Sequence, residues 1–214
     1  MTQKIQAFWD QQAGRFDAGE GRFEAFYEEL FARMGQYLGK QDQALDYGCA
    51  TGTKTRALAE RVGHIHGLDL SPEMIRLANS KKDALKLANV SFSQGTIFSR
   101  DLKENYFDSI IAFAIIQLLE DPVAVLGRIY ELLKPGGVFI STTACFKEQM
   151  PLKTRLQVVT WVLMNKLGFF PLNINWFSAK DVERLLEDQH FQILESEKVM
   201  PGIPAVFIVA RKPG

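Results

Sequence analysis

Between residues 44 and 143, short apolar runs alternate with stretches of helical spacing, and turn or capping residues separate them. Residues 44–47, 64–70, 90–93, 106–113 and 138–142 read as strands. Helices are expected over 53–61, closed by Gly63, and after Ser71-Pro72-Glu73 and Asp121-Pro122. Ser and Asp suit the capping position there, and Pro suits the first helical position. Lys134-Pro135-Gly136-Gly137 should stop the last of these helices. Strands that alternate with helices specify βαβ units, a parallel sheet and right-handed crossovers. Such sheets bind ligands outside the carboxyl ends of their strands. The Gly48 turn, Asp69, Thr96 and the residues after Phe113 all fall at that edge.

The first of these turns, Leu45-Asp46-Tyr47-Gly48-Cys49-Ala50-Thr51-Gly52-Thr53, carries the most chemistry. Gly lacks a Cβ and tolerates positive φ, so backbone can approach a ligand closely. The start of the following helix adds free N–H donors and partial positive charge. Asp46, two residues before Gly48, would not help a phosphate-binding loop, but it would help bind a ligand with its own cationic group. The dinucleotide fingerprint G-x-G-x-x-G fits poorly, because Ala50 and Thr53 stand at its second and third Gly places. A P-loop fails because Thr53, not Lys, follows Gly52.

The remainder of the chain departs from the alternation. Phe23, Phe26, Tyr27, Leu30, Phe31, Met34 and Leu38 recur at helical spacing within residues 5–38, with a break expected over 14–21. Residues 145–177 interrupt the pattern. Ser178-Ala179-Lys180-Asp181 has the form of a capping box and opens a helix to about Gln189. Residues 191–199 and 205–211 then read as an antiparallel hairpin, linked through Met200-Pro201-Gly202-Ile203-Pro204. That makes seven strands in one α/β domain over 1–214, with sections 1–40, 41–144, 145–177 and 178–214. A hydrophobic content of 47% with 16 Phe supplies a sizeable core, and with 25 basic against 25 acidic residues nothing points to a broad polyanion-binding surface, which leaves room for a local basic patch. Cys49 and Cys145 have neither metal-ligand spacing nor disulfide density, and no metal is expected. The Met1-Thr2-Gln3-Lys4 start lacks a leader's apolar core, and no apolar run of about 18 residues occurs. A cytoplasmic setting is the expectation.

The motif set resembles the class I S-adenosylmethionine-dependent methyltransferases. Leu45–Gly52 is similar to their acid-x-Gly-x-Gly-x-Gly motif, and Gly67-Leu68-Asp69-Leu70-Ser71-Pro72-Glu73-Met74 to "G-h-D-h-S-x-x-M". Tyr106-Phe107-Asp108-Ser109-Ile110-Ile111 resembles their fourth strand, and Leu132-Leu133-Lys134-Pro135-Gly136-Gly137 their "L-K-P-G-G" turn. Four motifs in the right order over about residues 5–143 make the resemblance specific. It implies a doubly wound, Rossmann-like, mostly parallel seven-stranded sheet with an antiparallel last strand and helices on both faces. The implied cofactor is S-adenosylmethionine, with S-adenosylhomocysteine as product. Asp46 would meet the cofactor's ammonium. Gly48, Cys49, Ala50 and Gly52 would give backbone access, Asp69 would accept from both ribose hydroxyls, and Leu70 and Met74 would flank the adenine. Thr96 and Ile97 stand where many relatives have an acid and Ala, so Thr96 offers only a hydroxyl or backbone contact to adenine. Ala112, Phe113 and Gln117 complete the implied cofactor set. Gln117 replaces a common His and cannot act as a base near neutral pH.

Phe8-Trp9-Asp10-Gln11-Gln12-Ala13-Gly14-Arg15-Phe16-Asp17 resembles the "F-W-D-x-x-A-x-x-Y-D" opening of small-molecule methyltransferases, where this helix is a lid. Phe8, Trp9, Phe16, Trp161 and Phe177 are therefore expected around the acceptor. An Asn/Asp-Pro-Pro-Tyr sequence after the fourth strand and a Pro-Cys nucleophile are both missing, which disfavours nucleic-acid bases and favours a small molecule. Residues 152–170, including Phe169 and Phe170, are apolar on most faces, with Lys153, Arg155 and Lys166 interspersed. That segment suits a core helix, an apolar substrate lid, a dimer contact or a membrane-surface helix. A monomer or homodimer is expected. His64, His66 and His190 are not obvious bases, and in-line displacement from a sulfonium can rest on positioning and desolvation, so the catalytic role stays unassigned. A non-catalytic binder of the same cofactor and an aminopropyl transferase are the alternatives.

Overall fold

A computed structural model describes residues 2–20, 24–168, 171–199 and 203–214. Phe23, Phe169, Phe170 and the Met200–Gly202 part of the hairpin link lie outside them. In chain order the elements are α1 (Thr2–Glu20), α2 (Glu24–Met34), β1 (Gln43–Tyr47), α3 (Thr53–Leu58), β2 (His64–Asp69), α4 (Pro72–Leu85), β3 (Val90–Gln94), β4 (Phe107–Phe113), α5 (Pro122–Leu132), β5 (Leu133–Ala144), α6 (Leu152–Lys166), α7 (Ala179–Glu187), β6 (Gln192–Val199) and β7 (Ala205–Arg211). The seven strands form one sheet in the order β3-β2-β1-β4-β5-β7-β6. β1 to β5 pair in parallel, and β7 is antiparallel to both β5 and β6. This is the topology the sequence implied.

Two apolar clusters lie on the two faces of the sheet. Ile110, Leu126, Ile129, Val182 and Leu186 join α5 and α7 to one face. Leu30, Met34, Leu58, Ile65 and Ile111 join α2 and α3 to the other. Successive residues of β4, such as Ile110 and Ile111, enter opposite clusters, as the pleat requires. The expected caps are present. The amide of Met74 donates to Ser71 Oγ (3.1 Å), and the amide of Ala124 donates to Asp121 Oδ1 (2.9 Å). Ser178 and Asp181 form the reciprocal capping box of α7.

Three boundaries differ from expectation. No break opens at Gly14, because α1 continues through it to Glu20, with nothing crowding Gly14 or Gly19. The helical stretch 53–61 is α-helical only to Leu58 and tightens to a 3₁₀ turn over Ala59–Arg61. Lys134-Pro135-Gly136-Gly137 does not precede β5 but belongs to it, as an irregularity between the pairs Phe107–Leu133 and Ser109–Val138. Gly136 has φ 80° there. Lys134 Nζ reaches both oxygens of Asp108 (2.7 and 2.8 Å), whose Oδ2 also accepts from the amide of Gln43 (2.8 Å). Asp108 therefore joins the edge of β1 to the β4–β5 junction.

Candidate functional site

The strand order reverses between β1 and β4, whose carboxyl ends, Tyr47 and Phe113, lie side by side. A cavity of roughly 570 Å³ opens at this point. Topological switch points of this kind are where open α/β sheets bind ligands, and the volume is that of a small-molecule site. The turns after β1 and β2, the loop after β3 and the segment after β4 all contribute to its wall, through Gly48, Ala50, Asp69, Leu70, Thr96 and Ala114 among others.

The turn after β1 is built for close approach. Gly48 has φ 76°, and a Cβ there would lie 2.6 Å from Ile115 Cδ1. Its amide and that of Cys49 both donate to the Leu68 carbonyl (2.8 and 3.1 Å), which bends the chain back over β2. Ala50 holds φ 48°, a left-handed conformation that costs a non-glycine residue about 1–2 kcal/mol. What holds it there is Asp69: the Ala50 amide donates to Asp69 Oδ2 (2.9 Å) while the Ser71 amide donates to Asp69 Oδ1 (2.9 Å). One carboxylate thus fixes the turn after β1 against the start of α4. Burial pushes Asp69 above its ordinary value of 3.8, with the backbone amides of Ser71 and Ala50 opposing the rise and the Asp10 carboxylate adding to it. A carboxylate can accept about four hydrogen bonds, so acceptor capacity remains for a ligand's hydroxyls.

α1 closes one side of the cavity through Ile5, Trp9 and Phe16. Two carboxylates, one helix-face apart in sequence, attach it. Asp10 accepts from the Ser71 hydroxyl and from the amide of Glu73 (3.3 Å) at the start of α4. Asp17 accepts from Thr51, from Thr53 (3.4 Å) and from Lys81. Hydrogen bonds from Lys81 and Thr51 overcome desolvation and hold Asp17 below the ordinary carboxylate value.

Of the expected cofactor residues, Gly48, Ala50, Asp69, Leu70, Met74, Thr96 and Phe113 line this cavity. Asp46, Cys49, Gly52, Ile97, Ala112 and Gln117 do not. Asp46 is 2% exposed and accepts from Thr55 Oγ1 of α3 (2.5 Å). The pleat explains it: Tyr47 faces the cavity, so its neighbour faces away. Burial drives the Cys49 thiol well above its ordinary value. Gly52, expected to give ligand access, instead makes room for Phe92 of β3, whose Cζ would be 2.5 Å from an added Cβ. Ile97 and Ala112 are core residues. Gln117 donates to the Ala114 carbonyl (2.6 Å) and accepts from the Ala144 amide (3.4 Å), which braces the segment after β4. The Thr96 hydroxyl accepts from the Phe98 amide (3.3 Å), stabilising its own loop. Trp9 and Phe16 reach the cavity, whereas Phe8, Trp161 and Phe177 do not line it. Phe8 packs edge-on against Trp9, and Phe177 packs on the core.

Sequence reading missed Tyr27, Tyr47 and Lys54. Lys54 Nζ lies 4.6 Å from the centre of the Tyr27 ring and 6.0 Å from that of Phe113. Burial and nearby Asp69 push the Tyr47 hydroxyl up to about 12, so it stays protonated. Strand alternation counted from an Asp46 at the ligand would turn Tyr47 away, so it gave no signal for Tyr47. None existed for Tyr27, which comes from another helix. The histidines lie elsewhere: His64 and His66 hydrogen-bond to Ser91 and Ser93 of β3 (2.8–2.9 Å).

Residues 38–199 match the family model described as a methyltransferase domain. A demethylmenaquinone methyltransferase of Geobacillus sp. (strain WCH70) is 32% identical over 127 residues, covering 58% of this chain and 52% of that protein. The chain spans about half the length of the curated relatives it matches. Among solved structures, a chain of the Haloferax volcanii complex containing the Trm112 methyltransferase activator superposes with a TM-score of 0.79 at 20% identity, covering 96% of this chain and 98% of that one. Geranyl diphosphate C-methyltransferase from Streptomyces coelicolor A3(2), solved with Mg2+, geranyl diphosphate and S-adenosyl-L-homocysteine, superposes with a TM-score of 0.72 at 16% identity, covering 90% of this chain and 80% of that one. At these identities the likeness is one of fold.

Proposed function

Because the chain belongs to the class I S-adenosylmethionine-dependent methyltransferase family, we propose that its cavity holds S-adenosylmethionine and a small lipophilic acceptor, and that it transfers the cofactor's methyl group between them. The residues present fit the cofactor: Gly48 and Ala50 present left-handed backbone to the cavity, and Asp69 is an enclosed carboxylate with acceptor capacity to spare. The observation that carries the lipophilic acceptor is the rest of the wall, where Ile5, Trp9, Phe16, Phe113, Leu118 and Leu172 meet.

The cofactor supplies a methyl group on a sulfonium whose thioether is a ready leaving group. Asp69 would accept from the ribose hydroxyls, the Gly48–Ala50 backbone would lie against the ligand, and Leu70 and Met74 would bracket its flat ring. Trp9 and Phe16 would exclude water, which favours a displacement in which positive charge is dispersed. Among the described residues no histidine lines the cavity and Tyr47 stays protonated, which supports positioning as the main contribution. Supplying radiolabelled S-adenosylmethionine to the protein with cell extract should place label in the organic phase. Label confined to the aqueous phase would reject a lipophilic acceptor, and cofactor binding without any transfer would identify a binder.

Asp69 must be ionised to accept from a diol. Its value is raised in the folded protein, so affinity for S-adenosylmethionine should be flat at neutral pH and fall as pH drops through that raised value. Stability of the ligand-free protein runs the other way: the folded state binds the proton more readily, so stability declines as pH rises from the ordinary value of 3.8 through the raised one. Calorimetric titrations and thermal melts over a pH series check both signs.

α1 would act as the lid. Asp10→Asn with Asp17→Asn weakens its attachment to the residues around the ligand, at roughly 1 kcal/mol or more for each charged hydrogen bond. Cofactor dissociation should speed up by about tenfold or more, and amide exchange in α1 should rise while that of β4 and β5 does not. Unchanged dissociation would mean that α1 plays no part in retention.

A further inference from the structure

α6 has two faces, and only one of them is used. Thr154, Val158, Val162 and Asn165, four or three residues apart, turn inward, and Val158 alone is fully buried. The opposite face carries Leu152, Leu156, Val159, Leu163 and, just past the helix end, Leu167, at spacings i, i+4, i+7, i+11 and i+15. That spacing is one continuous stripe. Each of the five side chains is more than half exposed. One face of α6 therefore packs inward as a core helix does, while on the other a row of aliphatic side chains stands in water without a partner among the described residues. An exposed stripe of this kind marks an interaction surface.

Charge identifies the partner. Residues 149–177 contain no Asp or Glu, yet they carry Lys153, Arg155 and Lys166 in a chain whose net charge is zero. By helical spacing, Arg155 and Lys166 border one side of the leucine stripe and Lys153 the other. A second copy of α6 laid against this face would bring these cations near their own counterparts with no acid to meet them. An anionic lipid surface would accept both the stripe and its basic borders, since apolar burial and attraction to anionic headgroups add at such a surface. No helix among the described residues is long and apolar enough to cross a membrane, so the contact lies at the surface.

We propose that α6 docks this protein onto anionic membrane surfaces, with the Leu152–Leu167 stripe entering the headgroup layer and Lys153, Arg155 and Lys166 meeting the lipid phosphates. The helix is connected directly to the cavity. Six residues after Lys166 the chain reaches Leu172 in the cavity wall, and Asn173 and Asn175 each donate to the Leu119 carbonyl (2.7 Å) beside it. Docking would thus bring the lipid phase beside the wall of the site. The proposal stands apart from the acceptor assignment, because it concerns binding to lipid and not transfer.

Flotation of the full chain with phosphatidylcholine vesicles, with and without phosphatidylglycerol, tests it. Binding is expected only with phosphatidylglycerol and should weaken as salt is raised. A basic residue at such a surface is worth about fivefold in partitioning, so Lys153→Gln, Arg155→Gln and Lys166→Gln together should weaken it on the order of a hundredfold. Leu156→Glu with Leu163→Glu should abolish it. Both variants should keep the parent's circular dichroism and its affinity for S-adenosylmethionine, since neither change touches the cavity. Binding to neither vesicle, or equally to both, overturns the proposal. So does a lipid-free dimer in sedimentation that Leu156→Glu with Leu163→Glu dissociates, which would assign the stripe to a second copy.

Discussion

Asp69→Asn should lower affinity for S-adenosylmethionine by more than about a hundredfold, because one carboxylate serves three parts of the site. Each oxygen already accepts a backbone amide, from Ala50 on one side and Ser71 on the other. An amide side chain turns one of those acceptors into a donor that faces a donor. The Ala50 turn would then lose the bond that holds its left-handed conformation, or the start of α4 would lose its tether. The ligand's hydroxyls also lose a charged acceptor, and each such hydrogen bond is worth about 1.5–3 kcal/mol. Two of them together exceed the hundredfold expected. Titration calorimetry measures the affinity, and a thermal melt of the free protein measures the structural share. A variant that melts earlier yet binds as the parent does would remove Asp69 from the ligand and leave it a purely structural role.

Gly67→Ala should be the most destabilising single methyl in the chain's central sheet. Its Cβ would lie 2.4 Å from Phe92 Cδ1, 2.6 Å from Phe92 Cε1 and 2.9 Å from Cys49 Sγ. The same ring presses on Gly52, where a Cβ would be 2.5 Å from its Cζ. Phe92 therefore occupies the space that two glycines leave between β2 and the start of α3. Overpacking of this kind costs about 1–3 kcal/mol, which for a domain of this size lowers Tm by roughly 3–10 °C. Phe92→Leu takes away the ring edge, so the Gly67→Ala penalty should shrink in that background. A double-mutant cycle reads the coupling, expected at about 0.5–3 kcal/mol. Additive effects would mean that the ring does not impose the glycines.

How much of this was legible in the sequence depended on how local each cause is. Ser71-Pro72 and Asp121-Pro122 set the starts of α4 and α5 by capping, which needs only adjacent residues, and both helices begin there. Asp69 and Gly48 could be placed because strand ends are visible from the chain. Asp46 does not line the cavity, because a strand's parity decides which side chain faces it and the motif alone does not fix that. The packing of Gly52 against Phe92 was not legible, because that ring comes from another strand and the contact appears only after folding. α6 is apolar on most faces, which conceals which side is buried, and only the packed chain shows that Val158 is inside and Leu156 is not.

The attachment of α1 has a consequence for timing. Asp10 and Asp17 are bonded to Ser71, Thr51 and Thr53, beside the residues that would grip the cofactor. By reciprocity, a ligand that steadies those residues also steadies α1, and to the same degree. Entry and exit would then share one gate, and that gate would be hardest to open when the site is full. Turnover would be paced by the departure of the spent molecule, with a burst of product in the first cycle followed by a slower steady rate.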